Sequence, residues 1–151
     1  MALILPLLLL LLFPYVAAQW QLCGESGNYT SKSTYQENLT RLSSSLPKKA
    51  SSNATLIATD TVGAAPDTVF ALAFCRGDIE ASACEVCVAT AFQDGPGMCP
   101  NKKDVATYYD DCMLSSGGAG VLALGSGEPN KFSKSFTNFV YFGATLVKYY
   151  T

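Results

Sequence analysis

The first helix is predicted where apolar side chains recur at helical spacing within a polar stretch. The residues that share this apolar side are Tyr35, Leu39, Leu42 and Leu46. Steps of four, three and four residues place such positions on one side of a helix. Ser33 or Thr34 can cap its start, and Pro47 is expected to end it. The pattern therefore predicts a helix over residues 34–46.

Three stretches have the pattern of β-strands. Residues 19–23 alternate, with Trp20 and Leu22 on one face, and residues 55–61 alternate as well. Residues 68–75 (TVFALAFC) form a continuous apolar run of strand length. Such a run is typical of a well-buried central strand.

A second helix is predicted after the apolar strand. Helical spacing relates Cys84, Cys87, Val88, Ala91 and Phe92. Ser82 and Glu85 have the spacing of a capping box, in which two side chains satisfy backbone N–H groups at the helix start. The sequence Gly95-Pro96-Gly97 is expected to end this helix.

The last regular element predicted is a strand over residues 104–114. Its alternation places Tyr108, Cys112 and Leu114 on one face. Two helices combined with several strands of mixed order predict an α+β fold.

The first eighteen residues predict a secretory signal peptide, 1–18. They are almost entirely apolar, and Val16-Ala17-Ala18 supplies the small residues that precede a cleavage site before Gln19. A membrane anchor is the alternative, but an apolar stretch of about fifteen residues with two prolines is short for a span. We therefore expect a secreted, extracellular protein with no transmembrane segment in the mature chain.

Composition narrows the chemistry further. The chain contains six cysteines and no histidine. The lack of histidine excludes Cys-His and Ser-His-Asp catalytic groups and mixed Cys/His zinc sites. Four thiolates could still bind zinc, but six cysteines behind a signal peptide favour three disulfides, with no metal and no cofactor. A net charge of −2 without a basic stripe argues against a nucleic-acid partner.

Three sequons of the form Asn-x-Thr begin at Asn28, Asn38 and Asn53. None has proline in the middle position, so each can accept an N-linked glycan in a secreted chain. All three are therefore predicted glycosylation sites.

The run Cys75-x8-Cys84-x2-Cys87 resembles the signature of the plant ginkbilobin-homologous cysteine-rich domain, a salt stress response/antifungal domain. Several other segments are similar to the first ectodomain repeat of cysteine-rich receptor-like kinases, or to a secreted cysteine-rich repeat protein. They are QLCGESGNYT, STYQENLTRLSSSLP, APDTVFALAFCRGD, CEVCVATAFQD and the YYDDC motif that ends at Cys112. The resemblance covers residues 20–114.

This resemblance implies a five-stranded antiparallel sheet with two packed helices over residues 19–114. It also implies the disulfide pairs, since spacing alone leaves fifteen pairings open. The implied pairs are Cys23–Cys99, Cys75–Cys84 and Cys87–Cys112. The family's mannose contacts are an asparagine, an arginine and a glutamate, and they correspond here to Gly24, Ala106 and Gly117. Glycine and alanine carry no side-chain hydrogen-bonding group, so no ligand-binding residue is predicted at these positions.

Residues 115–151 form a glycine-rich linker, SSGGAGVLALGSG, and a tail without a clear period. The segment GEPNKFSKSFTNF faintly resembles the approach to the first helix of a second repeat. We therefore interpret this part as the possible truncated start of such a repeat.

The favoured function is that of a secreted, non-enzymatic recognition module of the plant apoplast, in stress or defence signalling. Its expected partner is a cell-wall glycan or a protein ectodomain. The alternative is an antifungal, mannose-binding, lectin-like defence protein. An enzyme using the carboxylates of Asp104, Asp110 and Asp111 and a redox role for the cysteines are the less favoured alternatives.

Overall fold

The computed structural model describes residues 19–118, which contain two helices and five strands. In chain order the elements are β1 (Trp20–Cys23), α1 (Thr34–Ser52), β2 (Ile57–Val62), β3 (Val69–Cys75), α2 (Ala81–Met98), β4 (Val105–Tyr108) and β5 (Cys112–Gly117). The signal peptide predicted over residues 1–18 and most of the tail predicted over 115–151 lie outside the described residues.

The five strands form one antiparallel sheet in the order β1-β4-β5-β3-β2. The continuous apolar strand β3 lies between β5 and β2, as its composition indicates. The sheet pairs Cys75 with Cys112 and Phe70 with Gly117 across β3 and β5. The predicted α+β class, with its antiparallel sheet and two helices, is confirmed.

Helix α1 begins where the sequence predicts and ends later. The Ser33 side chain caps it by accepting a hydrogen bond from the Gln36 amide at 3.3 Å. The predicted end at Pro47 is wrong, because the helix continues to Ser52. Proline removes one backbone hydrogen bond from a helix interior. The prediction failed because Leu46, Pro47 and Ala50 are all buried in the core, and that burial offsets the lost bond.

Helix α2 also departs from its predicted boundaries. The proposed capping box is wrong: Glu80 is the N-cap residue and its side chain makes no capping bond. The Glu85 carboxylate instead accepts a hydrogen bond from Ser51 of α1. The predicted stop at Gly95-Pro96-Gly97 is wrong as well, since the helix runs to Met98. Its C-cap, Cys99, is bonded to Cys23, which fixes this end of the helix to β1.

The single strand predicted over residues 104–114 is two strands joined by a tight turn. The Tyr109 amide donates to the Cys112 carbonyl at 2.8 Å, which closes the turn. The chain reverses here, so Tyr108 does not share a face with Cys112 and Leu114 as predicted. Strand β5 also continues past Leu114 to Gly117, and it pairs with both β3 and β4 over this length.

The sheet has two faces of different character. Both helices pack on one face, where the main core forms. Its members include Leu42 and Leu46 of α1, Val88 and Phe92 of α2, Val69, Ala71 and Ala73 of β3, and Leu114 of β5. A second, smaller apolar cluster of Leu72, Ala106, Tyr108 and Met113 lies on the opposite face.

Three disulfides tie α2 to the sheet. Cys23 is bonded to Cys99, Cys75 to Cys84 and Cys87 to Cys112, with Cα–Cα distances of 5.5, 5.7 and 6.1 Å. These are the pairs that the resemblance implies. Cys84 and Cys87 lie one helical turn apart, so the helix is bonded to β3 and to β5 from neighbouring points on one side.

Among residues 19–118, no helix is both long enough and apolar enough to cross a membrane.

Candidate functional site

The three positions that correspond to the family's mannose contacts lie near one end of the sheet. The Gly24 amide donates to the Asp104 carbonyl at 2.8 Å, just before β4. A Cβ atom on Gly24 would stand 2.4 Å from the Asp104 Cβ, so this position cannot carry a side chain without displacing Asp104. Ala106 and Gly117 are buried within β4 and β5.

Asp104 is a charged residue that lies beside these positions. Its Oδ1 accepts a hydrogen bond from the Gly118 amide at 3.2 Å. The carboxylate therefore satisfies local backbone where the family carries its mannose contacts. The geometry favours a structural role for Asp104 and gives no mannose site of the family type.

A larger concave surface lies at the other end of α2. This groove, called the α2 groove below, has a volume of about 530 Å³ and lies between α2 and the β4–β5 turn. The helix contributes Ser82, Ala83, Val86, Cys87 and Thr90, and the turn contributes Tyr109, Asp110 and Asp111. The Cys87–Cys112 disulfide joins the two walls. A covalent bond therefore links the helix side of the groove to the strand that follows the turn.

The floor of the α2 groove contains an exposed aliphatic side chain. Val86 is 67% exposed, although it lies between two bonded cysteines. Single exposed apolar residues are common on protein surfaces, but this one sits in a concave site with charged neighbours. An apolar side chain beside polar groups in a concavity makes this surface a candidate binding site.

Acidic groups surround one cation at the rim. Arg76 forms ion pairs with Asp78 and, at 3.4 Å, with Asp111, and it also donates to the Asp110 carbonyl. The hydrogen bond with Asp78 raises the pKa of Arg76 and lowers the pKa of Asp78. The carboxylates of Asp78 and Asp111 pair with one guanidinium and the charge of Asp110 also acts on it, so the rim carries net negative charge.

Tyr109 fixes the opposite wall of the groove. Its hydroxyl donates to Asp94 of α2 at 2.6 Å and accepts from Gln19 at 3.1 Å. Burial, followed by the hydrogen bond to the Asp94 carboxylate, raises the pKa of Tyr109 well above its ordinary value. The phenol therefore remains a neutral donor across the physiological range and ties α2 to the turn.

The three carboxylates that could have served in catalysis do not lie together in the structure. Asp104 precedes β4 and Asp110 and Asp111 follow it, at opposite ends of the strand. The turn, and not a strand as expected, holds Asp110 and Asp111, and Asp111 is paired with Arg76. Among residues 19–118, no group of acidic or cysteine side chains could hold a metal ion.

The family model described as salt stress response/antifungal matches residues 22–117. The chain belongs to this family. Its relatives include cysteine-rich receptor-like protein kinase 6 of Oryza sativa subsp. japonica, which is 55% identical over 98 residues. Cysteine-rich receptor-like protein kinase 10 of the same species is 48% identical over 109 residues.

These alignments cover 63% and 71% of the chain but only 14% and 17% of the two kinases. The similarity therefore concerns one part of those proteins, and their kinase activity is not carried over. The tandem DUF26 ectodomain of the Arabidopsis thaliana cysteine-rich receptor-like protein PDLP5 matches with a TM-score of 0.62 at 22% identity. That match covers 78% of this chain and 62% of the other. The tandem DUF26 ectodomain of PDLP8 gives the same TM-score at 20% identity.

Within this salt stress response/antifungal domain, the sequons differ in exposure. Asn28 and Asn53 are exposed, and the Asn53 Oδ1 accepts bonds from the amide and hydroxyl of Thr55. Asn38 is 4% exposed, and its Nδ2, the atom that would carry a glycan, donates to the Asp67 carbonyl at 2.9 Å. Glycosylation of all three sequons stays a prediction, and the buried, bonded amide makes Asn38 the least accessible of them.

Sequence reasoning missed the α2 groove. Val86 offered a signal, since an aliphatic residue stands there on the side of the predicted helix away from Val88 and Phe92. Tyr109 and Arg76 offered none, because their roles depend on the turn that separates β4 from β5. The site is formed by contacts between distant segments.

Proposed function

We propose that this chain is a secreted, non-enzymatic recognition module of the plant apoplast that acts in stress or defence signalling. Its family membership and its relation to cysteine-rich receptor-like kinase ectodomains support this role. The separation of Asp104 from Asp110 and Asp111 supports a module without catalysis. The signal peptide predicted over residues 1–18 supports export.

The α2 groove is the observation on which the proposal rests. Its floor presents Val86, and its rim presents Asp110 and Asp111. The disulfide between Cys87 and Cys112 holds the walls at fixed separation, so little ordering accompanies binding. A preorganised apolar floor beside negative charge fits a protein ligand in which an aliphatic side chain neighbours a lysine or arginine.

The negative charge of the rim favours this protein ligand over the main glycan candidates. Acidic pectic chains would be repelled by the rim, and neutral cell-wall glycans would gain no charge attraction from it. The Arg76 guanidinium is already shared among Asp78, Asp111 and the Asp110 carbonyl. A basic, aliphatic segment of a partner ectodomain is therefore the proposed ligand.

A defined ligand panel tests this proposal. The oxidised, glycosylated protein is titrated against peptides that pair Lys or Arg with Leu, against neutral cell-wall oligosaccharides and against pectic fragments. Binding of the basic peptides is expected, with affinity that falls as salt rises because the rim is solvent-exposed. Asp110→Asn and Val86→Ser should each weaken that binding several-fold.

A matched variant tests whether the loss of any surface carboxylate weakens binding. Glu37→Gln removes one exposed carboxylate from the first turn of α1, away from the α2 groove, and should leave binding unchanged. Glycan binding that is insensitive to Asp110→Asn would contradict the proposed ligand. The same holds if Glu37→Gln weakens peptide binding as much as Asp110→Asn does.

A further inference from the structure

A small cavity lies between the C-terminal half of α2 and the face of the sheet on which both helices pack. Its volume is about 20 Å³, and it has no lining residue in common with the α2 groove. Its walls include Phe92, Gly95 and Pro96 of α2, Val105 and Thr107 of β4, and Ser116 of β5. Two polar groups of these residues lack the hydrogen-bond partners that such groups ordinarily have.

The hydroxyl of Thr107 is the first of these groups. Thr107 is 1% exposed, and its Oγ1 has no hydrogen-bond partner among residues 19–118. Leu39 of α1 and Phe92 of α2 line the same cavity, so the two helices cover this side chain. Buried hydroxyls are almost always paired. A partner for Thr107 is therefore expected in the space between β4 and α2.

The main-chain carbonyl of Phe92 is the second group. Each carbonyl inside an α-helix accepts a hydrogen bond from the amide four residues later. For Phe92 that position is Pro96, which lies inside α2 and carries no amide hydrogen. Phe92 and Pro96 both line the cavity. The helix thus has a missing donor beside the same cavity as the unpaired hydroxyl.

The cavity has room for one water molecule. A cavity needs about 10–15 Å³ to hold a water, and the water needs two to four polar partners. The volume of about 20 Å³ meets the first requirement. The Thr107 hydroxyl and the Phe92 carbonyl meet the second. Ser116, which is 6% exposed, supplies a further hydroxyl on the adjacent strand.

We propose that a buried water binds in this cavity and bridges Thr107 of β4 to Phe92 of α2. The water donates one hydrogen bond to the Phe92 carbonyl, in place of the amide that Pro96 lacks, and forms a second with the Thr107 hydroxyl. The disulfides of α2 and its C-cap reach β1, β3 and β5, but none reaches β4. The water therefore links α2 to the strand that no disulfide joins to it.

Thr107→Val in the oxidised full chain tests for the water, because it keeps the branched shape and removes only the hydroxyl. Loss of a water-mediated bond should lower the melting temperature by a few degrees. In a dry cavity the same change removes an unpaired polar group and should stabilise the fold. Thr59→Val, at an exposed position of β2, should leave the melting temperature nearly unchanged. An unchanged or higher melting temperature for Thr107→Val would overturn the proposal.

Gly95→Ala displaces the water without touching its partners. A Cβ atom at Gly95 would lie 3.8 Å from the Val105 Cγ1, an ordinary contact between two walls of the cavity. A Cβ at Gly97 of the same helix would meet no atom within 4 Å, so Gly97→Ala measures the gain in helix propensity alone. Gly95→Ala should raise the melting temperature less than Gly97→Ala does, since it also leaves Thr107 unpaired.

The same pair of glycine variants in the Thr107→Val background should differ less, because no hydroxyl is left unpaired there. A larger gain for Gly95→Ala than for Gly97→Ala in the wild-type background would indicate that a dry cavity had been filled, and would contradict the proposal.

A crystal structure of the oxidised full chain, at a resolution that shows ordered water, gives the direct observation. One water should lie about 2.7–3.2 Å from both the Thr107 Oγ1 and the Phe92 carbonyl oxygen. The Thr107→Val crystal should lack it or show it displaced. A Phe92 carbonyl bonded to a protein amide, or no density between the two groups, would exclude the bridging water.

Discussion

The two helices lie on the same face of the sheet but are held there in different ways. Helix α1 has a side-chain cap at Ser33 and a regular buried side that includes Leu42 and Leu46. Helix α2 has no side-chain cap, and glycine and proline interrupt its last turns. Every disulfide of the domain has one cysteine in α2 or at its C-cap, and none has one in α1.

This difference shows two routes to one architecture. Local signals and apolar burial stabilise α1, which needs no cross-link. Covalent bonds hold α2 where local signals are weak, and the α2 groove is formed along this helix. The α2 groove thus depends on cross-links more than on helix propensity.

The largest effect is expected from removal of a cross-link of α2. Cys23→Ala with Cys99→Ala opens a loop with a sequence separation of 76 residues, which should lower the free energy of unfolding by about 4 kcal/mol on the chain-entropy model. Denaturant unfolding of the oxidised protein measures this loss.

The matched variant is Cys75→Ala with Cys84→Ala, which opens a loop with a separation of only 9 residues. The same model gives a loss of about 2.5 kcal/mol. A larger loss for the short loop than for the long one would show that packing around the sulfurs, and not loop closure, sets the stability of α2.

A smaller effect is expected from a cavity beneath α1. Leu46 is fully buried, so Leu46→Ala should lower the free energy of unfolding by about 3 kcal/mol through lost transfer energy and a residual cavity. Leu39→Ala, at a half-buried position of the same helix, should cost clearly less. Equal losses at the two positions would contradict the view that burial holds α1.

The N-cap residues test the difference between the two helices most directly. Ser33→Ala removes the bond to the Gln36 amide and should cost about 1 kcal/mol. Glu80→Ala at the N-cap of α2 removes no capping bond and should change stability by less than about 0.5 kcal/mol. Thermal unfolding of both variants under one buffer condition gives the comparison, and a larger loss for Glu80→Ala would reverse it.

A small change in stability is expected at acid pH. Burial opposes the charge of Asp60 on β2, but bonds from Lys49 of α1, the Thr61 amide and Ser45 outweigh it and lower its pKa. Since the folded pKa lies below the unfolded value of about 3.9, the contribution is present above that pH and is lost as pH falls through the folded pKa.

Asp60→Asn should therefore cost up to about 1 kcal/mol at neutral pH, because the Lys49 partner is exposed. The difference from wild type should vanish in strong acid. The free energy of unfolding of both proteins, measured from neutral pH down to pH 2, checks this. A difference between them that grows as the pH falls would contradict the prediction.

At alkaline pH the contact between α2 and the β4–β5 turn should weaken. The raised pKa of Tyr109 means that its neutral form is the one stabilised in the fold, chiefly by burial and then by Asp94. This contribution is fully present below the unfolded pKa of about 10 and is lost as pH rises toward the folded value. Tyr109→Phe should flatten the alkaline part of the stability curve, and an unchanged slope would exclude Tyr109 as its cause.

Much of the fold could be predicted from the sequence, because spacing of apolar residues reports burial directly. The start of α1, the buried strand β3 and the class of fold all follow from such spacing. The C-terminal ends of α1 and α2 could not be predicted from this spacing. Pro47 lies inside α1, which the core holds, and Pro96 lies inside α2, which disulfides hold. The α2 groove could not be derived either, because it requires the turn at Asp110 to lie beside α2.

The arrangement of the three cross-links has a consequence for cleavage by extracellular proteases. Cys23–Cys99 encloses most of the domain, and Cys87–Cys112 overlaps it at one end. A single cut of the backbone anywhere from residue 24 to residue 111 therefore leaves one covalently connected molecule. A nicked domain could then keep both its halves in place until a second event, a reduction or another cut, released them.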